Sequence, residues 1–144
     1  MLVDANLLLY ASLEDFPQHP IARDWLLEQL NGPHRIGLPW PNILAFLRIT
    51  TNPRLFEHPL DTRDAWAQVQ SWLDHPRVWI PIPGPRHGEI LRKLLISSRA
   101  AGNLIPDAHL AALALEHGLT LYSTDHDFAA FPELHWKNPL NQTR

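Results

Sequence analysis

Short apolar runs alternate with helical stripes along this chain, and that alternation admits few folds. Met1-Leu2-Val3, Ile36 to Leu38, Val78-Trp79-Ile80 and Leu119 to Tyr122 are too short for helices and are bounded by polar, proline or glycine residues, as buried strands are. Helical patterns fill the gaps. The first runs from Ala5 to Leu13, with Asp4 placed to cap it, and the second from Pro20 to Leu30, stopping near Asn31-Gly32-Pro33. A third runs from Pro41 to Ile49. The next starts at a cap on Asp61 or Thr62 and carries Ala65, Trp66, Val69 and Trp72-Leu73 at spacings of three and four. Two more extend from His87 to Ala100 and from Ile105 to His117, the latter closed by Gly118 at C′. Leu134-His135-Trp136 reads as a fifth, edge strand. Strands separated by helices imply right-handed crossovers and a parallel sheet covered on both faces. The expectation is a single domain over 1–144, a three-layer α/β/α sandwich around a central parallel sheet of four to five strands.

Composition narrows the chemistry. The chain has 144 residues and no cysteine, which removes disulfides, thiolate zinc sites, iron–sulfur clusters and thiol nucleophiles together. No apolar run approaches the roughly 20 residues of a membrane span. The opening Met1-Leu2-Val3-Asp4 lacks the basic and apolar regions of a signal peptide, so a soluble, cytoplasmic protein without membrane association is expected. With 12 basic and 15 acidic side chains the net charge is −3, the wrong sign for holding a polyanion by electrostatics alone. Any polyanionic substrate then calls for local positive charge or a metal ion.

In a parallel α/β sheet ligands bind beyond the carboxyl ends of the strands. Asp4 follows the first strand, and Asp125 and Asp127 follow the fourth. Asp107 lies in the first turn of the helix before that strand, at the head of the stripe Leu110, Ala111 and Ala114. Taken singly, each acid suits a helix or turn cap. Taken together, they bring carboxylates from three separate segments toward one sheet edge. A carboxylate facing a core is costly unless it is paired, hydrogen-bonded or metal-bound. An all-oxygen donor set favours a hard cation, Mg2+ or Mn2+, which positions water and offsets charge on a phosphodiester.

These residues resemble the PIN-domain ribonucleases, and among them the VapC toxins of bacterial toxin–antitoxin pairs. The resemblance is carried in order by Val3-Asp4-Ala5-Asn6, by Asn103-Leu104-Ile105-Pro106-Asp107-Ala108-His109-Leu110, by Glu116-His117-Gly118, by Leu121-Tyr122-Ser123-Thr124-Asp125-His126-Asp127-Phe128 and by Asn138-Pro139-Leu140. It implies a catalytic group of Asp4, Asp107, Asp125 and Asp127, of which Asp4, Asp107 and Asp125 hold the metal and Asp127 is a more peripheral companion. Asn6 and Thr124 fall where the family has small polar side chains that hold the acids or approach a phosphate. The resemblance further implies Mg2+-dependent endonucleolytic cleavage of RNA, a homodimer, and a cognate VapB-like antitoxin whose C-terminal segment blocks the acidic groove.

One departure stands out. Many relatives carry a glutamate in the helix after the second strand, whereas Trp40-Pro41-Asn42-Ile43-Leu44-Ala45-Phe46-Leu47-Arg48 has no acid, and Ala45 aligns at about its position. Either Asn42 or a water takes its place, or a second metal site is weakened. That departure supports an alternative reading, a catalytically silent PIN-like binding module. Aspartyl-phosphate enzymes fit poorly: a dehalogenase-like phosphatase would want an acid where Asn6 stands, and a receiver domain would want a phosphoacceptor where Pro81-Ile82-Pro83 follows the third strand. The nine histidines offer no i, i+4 pair with an acid between, so zinc is not expected. Trp25, Trp66 and Trp72 fall on apolar stripes and are expected in the core, while Trp40 lies near the crevice edge, where it could stack on a base.

Overall fold

The structure is a computed structural model and describes residues 1–141, so the last three residues of the expected 1–144 domain lie outside the described residues. Five strands, β1 (Leu2–Val3), β2 (Ile36–Gly37), β3 (Val78–Trp79), β4 (Leu121–Tyr122) and β5 (Trp136–Lys137), pair in the order β3-β2-β1-β4-β5, all parallel. Helices α1 (Ala5–Ser12), α2 (His19–Leu30), α3 (Trp40–Thr50), α4 (Thr62–Leu73), α5 (His87–Ser98) and α6 (Leu104–His117) make the crossovers, and a short 3-10 helix spans His126–Ala130. No helix among the described residues is long and apolar enough to cross a membrane.

The two residues of β1 show why the architecture has three layers. Successive strand side chains point to opposite faces. Leu2 packs with Leu94, Leu110, Leu113 and Leu121 under α5 and α6, whereas Val3 packs with Leu7, Leu26, Ile36, Phe46 and Trp72 under α1 to α4. Both are fully buried. Burying a side chain of this size contributes roughly 1.5–3 kcal/mol, so an apolar residue is demanded on each face of the central strand.

Helix ends follow local chemistry. Asp61 caps α4, its carboxylate accepting from Arg63 N–H at 2.8 Å. Gly118 takes φ +65 after α6, with its N–H on the Leu115 carbonyl and Leu119 N–H on the Ala114 carbonyl at 2.8 Å, a Schellman arrangement. Leu119 is thereby committed to the helix end, so β4 begins at Leu121 rather than at Leu119. Helix α5 stops at Ser98, two residues before the expected Ala100, because Arg99 turns left-handed at φ 55 and Ala100 N–H closes back on the Leu95 carbonyl. Leu134 N–H is held by the Phe131 carbonyl in a turn, which moves β5 to Trp136–Lys137 from the expected Leu134-His135-Trp136. Trp72 is core as expected and Trp25 is half-buried, but Trp66 is exposed, on the outer side of α4.

Candidate metal centre

The register of the two central parallel strands builds the site. Leu2 pairs with Leu121 and Val3 with Tyr122, so one step further along Asp4 stands beside Ser123, with Asp4 N–H donating to the Tyr122 carbonyl at 3.0 Å. Asp4 is also the N-cap of α1, its Oδ1 accepting from Ala5 N–H at 2.7 Å. Its other oxygen, Oδ2, accepts from Ser123 Oγ–H at 2.7 Å. The cap reading and the site reading of this residue are therefore both satisfied by one carboxylate.

Ser123 is the hub that sequence reading missed. It is fully buried, and its hydroxyl donates to Asp4 while accepting from Asn6 Nδ2 at 3.1 Å and from Asp125 N–H at 3.0 Å. Its own carbonyl accepts from Trp136 Nε1–H at 2.9 Å, tying the loop after β4 to the edge strand. The available signal was positional: a hydroxyl residue directly after a parallel strand, in register with the first aspartate. Asn6 uses its Oδ1 more weakly, accepting from Thr124 N–H at a long 3.5 Å.

Asp125 caps the 3-10 helix and accepts from Asp127 N–H at 2.9 Å. Asp107 comes from the first turn of α6, half-buried above the stripe of buried Leu110, Ala111 and Ala114. One carboxylate oxygen from each of Asp107, Asp125 and Asp127 lies within 4.8 Å of the others. Asp127, expected at the periphery, is thus in the close trio, and Asp4 flanks it through the Ser123 network. Loss of water raises the Asp107 carboxyl to about 6, with Asp125, Asp4 and Asp127 adding repulsion in that order. Burial also raises Asp4, opposed by the hydrogen bonds from Ser123 and Ala5.

Such a cluster has a deficit of positive charge. The donors in the trio are all carboxylate oxygens, without sulfur or imidazole, which is the set a hard divalent cation prefers. Three mutually repelling carboxylates gain most from an ion between them. The residues present therefore fit Mg2+ or Mn2+.

The remaining sequence candidates have separate roles. Asn42 is buried on α3 and its Nδ2 donates to the Val3 carbonyl at 2.8 Å, bracing the backbone directly before Asp4. Ala45, one turn on, is half-buried. Glu116 lies toward the other end of α6 from Asp107, accepting from Gly84 N–H at 2.7 Å and Arg86 N–H at 2.9 Å, and those bonds lower its carboxyl below the ordinary range. His109 meets His87 at 3.0 Å, a pair formed between α5 and α6. Trp40 opens α3 and is exposed.

A family model for the PIN domain matches residues 1–134. The chain is 43% identical to Ribonuclease VapC33 of Mycobacterium tuberculosis, covering 99% of each protein. It is 41% identical to Ribonuclease VapC37 of the same organism, covering 96% of each. Among solved structures it superposes on a chain of VapBC2 from Rickettsia felis bound to a promoter DNA fragment, with a TM-score of 0.65 at 18% identity over 95% of this chain and 96% of that one.

Proposed function

The chain belongs to the PIN-domain family, and from that membership we propose that it is the toxin of a toxin–antitoxin pair, an Mg2+-dependent endoribonuclease that hydrolyses RNA phosphodiester bonds in the cytoplasm. The observation that carries the reading is the carboxylate trio of Asp107, Asp125 and Asp127 at the carboxyl edge of the sheet, flanked by Asp4. The relatives that share over two-fifths of its sequence are named ribonucleases, which supports RNA as substrate. The antitoxin partner is supported by the fold's likeness to chains of solved VapBC and FitAB complexes, and the homodimer is part of the same proposal.

In this reading Asp107, Asp125 and Asp127 would hold the cation, with Asp4 beside them. When bound, Mg2+ or Mn2+ supplies the Lewis acidity that orients water for attack and offsets charge on the phosphodiester. Ser123 fixes the rotamer of Asp4 and the backbone of Asp125, so both carboxylates are pre-aimed at little entropic cost on binding. Thr124 stands beside the acids with its hydroxyl as a neutral donor toward a phosphate, whereas Asn6 braces Ser123 and the Thr124 backbone and Asn42 acts behind Asp4. The fold carries no acid at Ala45, so the carboxylate cluster of Asp107, Asp125 and Asp127 offers one cation position.

The test is purified protein with total RNA, with and without Mg2+ or Mn2+. Cleavage that stops on adding chelator, and in Asp4→Asn and Asp107→Asn proteins that remain folded, supports the nuclease. Intact RNA under every condition favours the silent binding module, the reading that the missing glutamate supports. Light scattering of the isolated chain tests the dimer.

A further inference from the structure

Helix α2 runs down the flank of β4. Near its middle Trp25 lies 5.3 Å from the Tyr122 ring, and at its first turn Ile21 shares a wall with Thr124. The start of α2 therefore stands at the same sheet edge as Asp125. Across from it, the chain leaving β5 presents Asn138, Leu140 and Asn141. With Pro17 and Gln18 these residues line an open cavity of about 380 Å3, and Thr124, placed between Ser123 and Asp125, joins it to the acidic centre.

The lining has an unusual chemistry for a surface beside four aspartates. Its walls combine aliphatic surface from Pro17, Ile21 and Leu140 with side-chain amides and a hydroxyl, and no charged side chain among the described residues lines it. Among the described residues the lining offers no lysine or arginine to neutralise a phosphate and no carboxylate to hold a cation. A neutral, flat heterocycle with donor and acceptor edges fits both properties. Asn138 Oδ1 is occupied by Leu140 N–H at 3.0 Å, which orients its NH2 group as the free donor. Gln18 Oε1 is shielded from water and has no hydrogen-bond partner among the described residues, so its amide sacrifices no bond on that oxygen in turning to a ligand. It is also the residue before α2 but makes no side-chain cap bond there. Proteins read single-stranded RNA by splaying out unstacked bases and bonding their edges, and a base taken out of its stack is held between aromatic or apolar side chains; here the walls are aliphatic.

We propose that this cavity takes one unpaired nucleobase next to the scissile phosphate, with Gln18 and Asn138 reading its edge, and so selects where the strand is cut. The inference rests on the nuclease reading for its role but not for its binding event. Binding is read in chelator by side-chain amide NMR of the full chain titrated with ApApA, CpCpC, GpGpG and UpUpU. Cutting is read with divalent metal on a randomised single-stranded RNA pool, by sequencing the cut ends. The Gln18 and Asn138 amide signals should shift with one trinucleotide far more than with the others, and that base should be enriched beside the cut. Gln18→Ala should lower the enrichment roughly tenfold, the scale of one lost edge hydrogen bond. Gln18→Glu, a second variant of the same length, should change which base is preferred. Selective amide shifts without cleavage leave the base pocket standing and refute the nuclease. Cleavage with a cut profile unchanged in both variants and unshifted amides refutes the pocket and leaves the nuclease. Amide shifts with an antitoxin-derived peptide but with no trinucleotide also overturn it, assigning the cavity to a protein partner.

Discussion

Replacing Asp107 with asparagine should make the metal-free protein more stable at neutral pH, and the size of the gain should depend on pH. In the fold this carboxyl is raised from its ordinary 3.8 to about 6, by lost water first and by Asp125, Asp4 and Asp127 after it. Between those values the folded chain keeps a proton that the unfolded chain has released, so stability falls as pH rises through the window. The contribution is fully present below about pH 4 and fully lost above about pH 6. At about 1.36 kcal/mol per decade the shift corresponds to about 3 kcal/mol. Asp107 is partly open to solvent, and screening leaves on the order of 1 kcal/mol. For a domain of this size that is a gain of about 2–4 °C in Tm. Asparagine has no such titration, so the difference from wild type should be small near pH 4 and largest near pH 7.5. Thermal melts in chelator at both pH values, with urea titrations alongside, measure it. A simple helix N-terminal acid would behave oppositely, since its removal costs about 0.3–1 kcal/mol. A lower Tm for Asp107→Asn at pH 7.5, or a difference that does not change with pH, would refute the view of the site as a repulsive cluster awaiting a cation.

Other outcomes follow from the same geometry. Adding Mg2+ at a hundredfold excess over its Kd should stabilise the wild type by about 2.7 kcal/mol, and Asp125→Asn should lose most of that gain in calorimetry. Ser123→Ala leaves Asp4, Asn6 and Asp125 N–H without their shared partner, which should cost about 1–3 kcal/mol in urea unfolding and cut RNA cleavage further than the stability loss explains. Gly118→Ala places a Cβ at φ +65 and should cost about 1–2 kcal/mol; an unchanged midpoint would mean that the end of α6 relaxes.

The residues that sequence reading located well are those whose roles depend on near neighbours. Gly118 announces a left-handed helix end, Asp61 a cap, and Asp4, Asp107, Asp125 and Asp127 stand where strands end or a helix begins, so their convergence on one edge follows from a parallel α/β order. The short strands were found by their apolar runs, but the limits of β4 and β5 shifted because helix-end and turn hydrogen bonds claimed Leu119 and Leu134 first. Propensity has no access to that competition.

What this sequence determined alone was the alternation of elements, the edge of the sheet toward which the aspartates would gather and which aspartates they are. Tertiary structure alone decided the strand order, the entry of Asp127 into the close trio, the Ser123 hub, and the gathering of Gln18, Thr124 and Asn138 around one cavity. The strand order and the Ser123–Asp4 bond join segments far apart in the sequence, while Asp127 meets Asp107 from the preceding helix across β4. Each meeting exists only when strand register and crossover packing bring separate segments within a few ångströms, and no local pattern of side chains encodes that distance.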